Sequence, residues 1–216
     1  MIRSICTNRR LALVSGLAIA ASAAPAFAGS VETFGFTAIT NNGVQSVIIA
    51  ETQLFVDVSS PGAGLVNFLF RNVGPEASSV ANIYWDDNNG RLSAITGDLV
   101  DTGVSFSAGG APPDLPSGSN VGFVDDFRIA ADPPPSSMGI NAGEQLDVRF
   151  TLSGMTTLAQ VIADLQSGAL RIGMHVIAFD NGQSESLVTS VVIPSPSAAG
   201  LASLGLVGCL GLRRRR

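Results

Sequence analysis

Hydrophobic and polar residues alternate along most of the chain from residue 31 to residue 193, as in strands that bury one face. The clearest case is the segment from Gln145 to Leu152, in which every second residue is apolar. The pattern predicts about ten short strands with frequent turns and without strand–helix alternation. It therefore favours an all-β fold, an antiparallel β-sandwich of jelly-roll type. The predicted strands span 31–40, 44–50, 54–58, 66–71, 79–85, 91–95, 103–107, 121–131, 145–152, 170–179 and 185–193.

Two Asn-Gly pairs predict hairpins. Asn42-Gly43 separates the segments 31–40 and 44–50, and this dipeptide is the strongest short-range signal for a two-residue hairpin turn. Asn181-Gly182 separates 170–179 from 185–193 and predicts a second hairpin with a slightly longer loop.

One segment has helical rather than strand periodicity. Thr157 and Gln160 are spaced as a capping box, and Gly168 is placed to end the helix. We therefore predict a single short helix, packed on an edge of the sandwich. Its apolar stripe consists of Leu158, Val161, Ile162 and Leu165.

Residues 1–28 have the three parts of a secretory signal peptide. Arginines come first, an apolar centre runs from Leu11 to Ala20, and Ala26 and Ala28 form the small-x-small cleavage site. Cleavage after Ala28 and export are therefore predicted.

The last residues, 193–216, also form a segment of three parts. A hinge of Pro194, Ser195 and Pro196 is followed by an uncharged apolar run over 198–212. This run would span roughly 22 Å as a helix, against a bilayer core of about 30 Å, so it is a short span. A terminal basic cluster should keep its end on the cytoplasmic side. The cluster is Arg213, Arg214, Arg215 and Arg216.

The order of hinge, apolar run and arginine cluster resembles the PEP-CTERM sorting signal. That resemblance implies an exosortase-type membrane transpeptidase as processing partner, with a transient inner-membrane intermediate. Ser195 stands where the family's Val-Pro-Glu-Pro hinge has glutamate, which leaves the cleavage site open. Segments 77–87, 104–110 and 165–188 also resemble an exported domain found ahead of such tails. A plain C-terminal membrane anchor is the alternative.

The segment between these ends, 29–192, has the length of one domain and a strongly acidic composition. It contains all 17 acidic residues but only five arginines and no lysine, a formal net charge of −12. Such a charge repels nucleic acid, which is therefore excluded as a partner. Cys6 and Cys209 lie outside this segment, so thiol chemistry and disulfides are excluded within it.

The one histidine, His175, lies on a predicted strand, with no G-x-S-x-G elbow in the sequence for it to serve. We interpret it as a structural residue, because a zinc site would need further ligands.

Two acidic pairs are stronger candidates for a site. Asp86 and Asp87 follow a strand and open a turn, whereas Asp125 and Asp126 lie inside the predicted strand 121–131. Either both pairs face solvent or they supply oxygen ligands to calcium. Glycoside hydrolysis would also need two acids, but no hydrolase motif accompanies them.

Aromatic residues bear on glycan binding, since sugars commonly stack on exposed rings. Tyr84 and Trp85 are adjacent on a predicted strand and should point to opposite faces. Both belong to the core, or one is exposed for stacking. The sequence thus predicts an exported, non-enzymatic structural or adhesion protein of the cell surface or extracellular polysaccharide matrix. The alternative is a calcium-dependent carbohydrate-binding module.

Overall fold

The computed structural model describes residues 31–193, and this part of the chain forms twelve strands and three α-helices. The predicted signal peptide and the sorting segment beyond Ile193 lie outside the described residues. Within 31–193, no helix is long and apolar enough to cross a membrane. The strands are β1 (Glu32–Ala38), β2 (Leu54–Ser59), β3 (Leu65–Asn72), β4 (Ser79–Asp87), β5 (Leu92–Thr96), β6 (Val100–Asp101), β7 (Val104–Ala108), β8 (Phe127–Ala131), β9 (Ile140–Asn141), β10 (Gln145–Leu152), β11 (Leu170–Ile177) and β12 (Glu185–Ile193). The helices are α1 (Val44–Gln53), α2 (Pro135–Met138) and α3 (Leu158–Ser167).

The strands form one curled antiparallel sheet, which confirms the predicted all-β class. Its order is β5-β10-β3-β2-β1-β12-β11-β4-β8-β7-β6, and the short β9 pairs with β4. Phe68 of β3 and Trp85 of β4 are separated by four intervening strands, yet their ring centroids are 6.1 Å apart. The sheet therefore folds over, and its two halves face each other as the layers of a sandwich.

The core between these layers comes from the residues that alternate inward. On β10, Leu146, Val148 and Phe150 are fully buried, as the period of two predicts. Phe150 also packs edge-on against Trp85, with centroids 5.0 Å apart. Strands β2 and β3 follow the same alternation, so the prediction is confirmed across this half of the sheet.

The predicted helix is confirmed as α3. The Thr157 hydroxyl accepts a hydrogen bond from the backbone N–H of Gln160, and the Gln160 side chain accepts one from the backbone N–H of Thr157. Gly168 ends the helix with a φ of +79°, in the left-handed region that favours glycine. The apolar stripe lies toward the sheet, with Val161 and Leu165 buried.

Replacing the capping residue Thr157 should measurably destabilise α3. We expect Thr157→Ala to lower the free energy of unfolding by about 1 kcal/mol, because the backbone N–H of Gln160 loses its hydrogen bond to the Thr157 hydroxyl. Thr156→Ala is the matched control, since no side-chain hydrogen bond of Thr156 occurs within the described residues. Urea unfolding of both variants measures the difference, and equal effects would contradict the role of the cap.

The hairpin predicted at Asn42-Gly43 is wrong, because the segment after it is helix α1. A carboxylate distant in sequence fixes this start: Glu185, which is 1% exposed, accepts hydrogen bonds from the backbone N–H groups of Asn42 and Gly43, both at 2.9 Å. It also accepts one from the Thr40 hydroxyl at 2.6 Å. Negative charge at a helix start is favourable, so this contact stabilises α1 where the local sequence predicts a turn.

The prediction of one helix is therefore too low, since α1 and the short α2 also form. The hairpin at Asn181-Gly182 is confirmed: β11 and β12 pair antiparallel on either side of it, and Gly182 has a φ of +73°. The predicted strand 121–131 is correct only from Phe127 onward, because Gly118–Val121 forms one turn of 3-10 helix and a loop follows it.

Candidate functional site

The four aspartates predicted as a site lie near one another in the fold. Asp86 and Asp87 end β4, and Asp125 and Asp126 precede β8, which pairs with β4. The prediction that Asp125 and Asp126 lie inside a strand is wrong, because both residues belong to the loop before β8. This loop, residues 109–126, is called the covering loop below.

Asp86 fastens the covering loop through an arginine. Its carboxylate is 2% exposed and accepts hydrogen bonds from Arg171, with the Nε at 3.1 Å and the Nη2 in closer contact. Arg171 also donates to the carbonyls of Val121 at 2.8 Å and Gly122 at 2.6 Å. The guanidinium carbon lies 5.3 Å from the centre of the Phe123 ring. Asp86 and Arg171 therefore form a structural contact between β4, β11 and the loop.

Asp87 and Asp126 join the same loop to the turn after β4. The Asp87 N–H donates to Asp126 Oδ2 at 2.7 Å, and the Asp126 N–H donates to the Trp85 carbonyl at 2.8 Å. Asp87 Oδ2 accepts the N–H of Leu92 at 2.7 Å. Asp87 Oδ1, however, is buried and has no hydrogen-bond partner within the described residues.

Asp125 is held by Arg128, whose Nη1 lies 3.2 Å from its Oδ2. Burial, followed by a hydrogen bond with the Asp114 carboxyl, raises the pKa of Asp125 above its usual value. Burial also raises the pKa of the nearby Tyr84 hydroxyl, which donates to the Pro112 carbonyl at 3.2 Å. These groups hold the covering loop against β4.

The calcium hypothesis stays a prediction. Between residues 31 and 193, no group of three or more acidic, histidine or cysteine side chains is placed to hold a metal ion. Asp86 and Asp125 are engaged by arginines, which compete with a cation for the same oxygens. The buried free oxygen of Asp87 is the one feature in this cluster that would favour a cation.

Tyr84 and Trp85 both belong to the core, which confirms the first of the two alternatives that the sequence left open. Each is 0% exposed, although they point to opposite faces of β4. Trp85 lies between the sheet layers, whereas Tyr84 lies on the other face beneath Leu115 and Phe123 of the covering loop. Neither ring is available as a platform for stacking a sugar in this conformation.

A second location was not predicted from the sequence: a cleft on the outer face of β11, β4, β8 and β7. His175 of β11 lies opposite Asn82 of β4, which lies opposite Ala130 of β8. Ala130 in turn lies opposite Ser107 of β7. Residues opposite each other share a face, so these four form one row. Ala81 is the extra residue of a β-bulge beside His175, a feature often found next to binding sites.

The cleft has a volume of about 490 Å³ and is lined mainly by alanine, glycine and proline. Its polar lining consists of Asn82, Ser107, Asp132 and His175. The half-buried His175 ring has its Nδ1 buried without a hydrogen-bond partner among the described residues. Burial lowers the pKa of this imidazole, so the ring is neutral at pH 7. The predicted placement of His175 on a strand is confirmed, but it also borders a cavity.

No protein-family model and no curated protein matches the chain. The resemblance to PEP-CTERM proteins accordingly stays a prediction.

The cleft could not be predicted from the sequence, because its residues come from four separate strands. A signal for it does exist: small residues occupy outward positions on β8 and around β7, where a solvated strand would carry larger polar side chains. Ala130 and Ser107 are examples. Without the register of the strands, this pattern does not indicate that the small residues meet.

Acidification should destabilise the protein through His175. Because burial lowers its pKa in the folded state, the unfolded chain binds more protons once the pH falls below about 6.5. The stability contributed by the neutral ring is complete above that pH and is lost as the pH falls toward the folded pKa. We expect the free energy of unfolding to fall between pH 7 and 5, by at most about 1.4 kcal/mol per pH unit from this residue.

Urea unfolding at several pH values, compared with His175→Gln, isolates this contribution. The carboxylates titrate in both proteins, so only the difference between the two curves belongs to His175. Parallel curves would contradict the expectation.

Proposed function

We propose that the chain is an exported, non-enzymatic structural or adhesion protein of the cell envelope or extracellular polysaccharide matrix. A jelly-roll-like domain would be delivered by the signal peptide ending at Ala28. An exosortase-type transpeptidase would then sort it through the tail at 193–216, by way of an inner-membrane intermediate. The main support is the sequence of the two ends, which enclose one strongly acidic domain.

The pairing of the arginines with aspartates supports the non-enzymatic part of the proposal. Four of the five arginines of the domain form ion pairs with aspartates, and the fifth, Arg149, donates to Asn67 at 2.9 Å. One aspartate of each predicted acidic pair, Asp125 and Asp86, is thus engaged in an ion pair of the fold rather than free in an open catalytic cleft. The remaining surface is strongly acidic, which disfavours nucleic acid and anionic polymers. The four pairs are Asp57–Arg71, Asp164–Arg91, Asp125–Arg128 and Asp86–Arg171.

Intact mass of the protein from its native cells tests the sorting step. Membrane, surface and medium fractions should contain a form that lacks both residues 1–28 and the apolar, arginine-ended tail. A form lacking only 1–28 and confined to the inner membrane would instead identify the tail as a plain anchor and overturn the exosortase proposal.

A calcium-dependent carbohydrate-binding module is the rival proposal, favoured by the buried oxygen of Asp87, which has no hydrogen-bond partner among residues 31–193. A ligand that binds only the folded state stabilises it by about 2.7 kcal/mol at a hundredfold excess over Kd. For a chain of this size, that would raise Tm by about 5–10 °C. Melting curves with calcium, with chelator and with a panel of polysaccharides decide the question, and unchanged curves would exclude those ligands.

A further inference from the structure

The outer-face cleft contains a carboxylate that is already oriented. Asp132 follows β8 and accepts hydrogen bonds from the hydroxyls of Ser105 at 2.6 Å and Ser107 at 2.8 Å. Its own N–H donates to the Ser105 carbonyl at 2.9 Å, which fixes the backbone at this point. The two hydroxyls lower the pKa of Asp132, so it is charged at neutral pH. Each carboxylate oxygen retains acceptor capacity for a further donor.

The base of the cleft also has unused hydrogen-bonding capacity. Asn82 is 3% exposed, and its amide nitrogen donates to the Ala111 carbonyl at 3.2 Å. Its amide oxygen accepts no hydrogen bond from any described residue. Beside it lies the neutral His175 ring, which lines the cleft and whose buried Nδ1 likewise has no partner in the described part of the chain. Because polar groups at the base of a cavity are usually satisfied, this pair indicates a ligand with hydroxyl or amine groups.

The remaining walls are apolar and rigid. Gly110 approaches the Ala130 side chain so closely that a Cβ at position 110 would overlap it. The neighbouring prolines and alanines have little side-chain freedom to lose, so binding would order few protein groups. A volume of about 490 Å³ matches a compact organic molecule rather than a polymer segment with bulky branches.

The negative charge of the cleft indicates which compact polar molecules it would bind. The described lining of the cleft contains no arginine, and Asp132 is its only charged group at pH 7. The domain as a whole carries a formal charge of −12, which adds to the attraction for cations. A bound ammonium group would form a charge-assisted hydrogen bond with Asp132.

We propose that this cleft binds a compact hydroxylated primary amine of the amino-sugar class. Its ammonium group contacts Asp132, its hydroxyls contact Asn82 and His175, and its apolar ring face lies on the alanine floor. The site is separate from the cluster of Asp86, Asp87, Asp125 and Asp126, and it requires no calcium. It depends neither on the sorting proposal nor on the rival carbohydrate proposal.

Calorimetric titration of the full chain in mild detergent at pH 7 tests the site with three probes: glucosamine, N-acetylglucosamine and glucose. We expect glucosamine to bind with a Kd on the order of a millimolar and at least tenfold more tightly than the two neutral sugars. Asp132→Asn should weaken glucosamine binding at least tenfold. Asp147→Asn is the matched control, since it removes the same charge from β10, outside the cleft.

Three results would overturn the proposal. The first is equal affinity for charged and neutral sugars, and the second is no binding of glucosamine at ten times the expected Kd. The third is an equal loss of binding in Asp132→Asn and Asp147→Asn, which would indicate only a general charge effect. Histidine NMR signals of the unsubstituted protein give a test that requires no variant, because glucosamine should shift the His175 resonances and glucose should not.

Discussion

Arg171→Met should destabilise the protein by about 3–5 kcal/mol, among the largest effects expected from one substitution, because it leaves a buried carboxylate unpaired. Asp86 is 2% exposed, and Arg171 is the source of its ion pair. The substitution also removes the donors to the Val121 and Gly122 carbonyls, so the covering loop should become accessible to protease. Urea unfolding and limited proteolysis measure the two effects.

Two further proteins test the physical reason. Replacing both partners, as Asp86→Leu with Arg171→Met, should recover much of the lost stability, because no uncompensated charge then stays buried. Arg71→Met is the matched control: its pair with Asp57 is more exposed, with 31% of the Arg71 side chain accessible, and should cost about 1 kcal/mol or less. A cost for Arg171→Met no larger than that of Arg71→Met would contradict the argument.

Trp85→Ala should cost about 3–5 kcal/mol through loss of apolar burial and creation of a cavity. The indole lies at the centre of the sandwich, with ring centroids 6.1 Å from Phe68, 5.7 Å from Phe70 and 5.0 Å from Phe150. These three rings belong to β3 and β10, in the layer that faces β4, so removing Trp85 weakens the contact between the two layers. Thermal and urea unfolding measure the loss.

Trp85→Phe separates the effect of the buried aromatic volume from the effect of the indole N–H. The indole Nε1 is buried without a partner among the described residues, so phenylalanine removes an unsatisfied donor while keeping an aromatic ring. We expect this variant to lose clearly less stability than Trp85→Ala. Equal losses would mean that the indole nitrogen has a stabilising role that the described contacts do not include.

The sequence predicted the elements whose folding is decided locally. The residues of β10 alternate strictly, and the capping box and Gly168 of α3 lie within or next to that helix. The pairing of β11 with β12 follows in the same way from a short loop with Asn181-Gly182. In each case the residues that determine the structure are close in the chain, so the pattern is sufficient.

Helix α1 could not be predicted, because its determinants are neither local nor apolar. Its buried positions have helical spacing, but Ser46 and Gln53 are polar, while Val44 and Ile48 face outward. Apolar periodicity therefore indicates the wrong faces. The carboxylate that fixes its N-terminus, Glu185, is more than a hundred residues away. The buried positions are Ser46, Ile49, Ala50 and Gln53.

The two candidate sites also differ in how far the local sequence indicates them. The acidic pairs were visible as dipeptides, but their engagement by Arg128 and Arg171 depends on how the covering loop folds back. The cleft depends wholly on strand register, since His175, Asn82 and Ser107 become neighbours only across four paired strands. Residue type indicated the first location, and only tertiary structure could indicate the second.

The central position of β1 and β12 determines how the domain would respond to mechanical load. The two strands are neighbours, and Thr33 lies opposite Ile193, so both ends of the described chain leave the sheet side by side. A pull that separates these ends would peel the antiparallel strands apart, one hydrogen bond after another. A pull on residue 193 against the far end of the domain would instead shear β12 along both β1 and β11, loading many bonds together. The same domain is thus weak when stretched between its ends and strong when held by its C-terminal side alone.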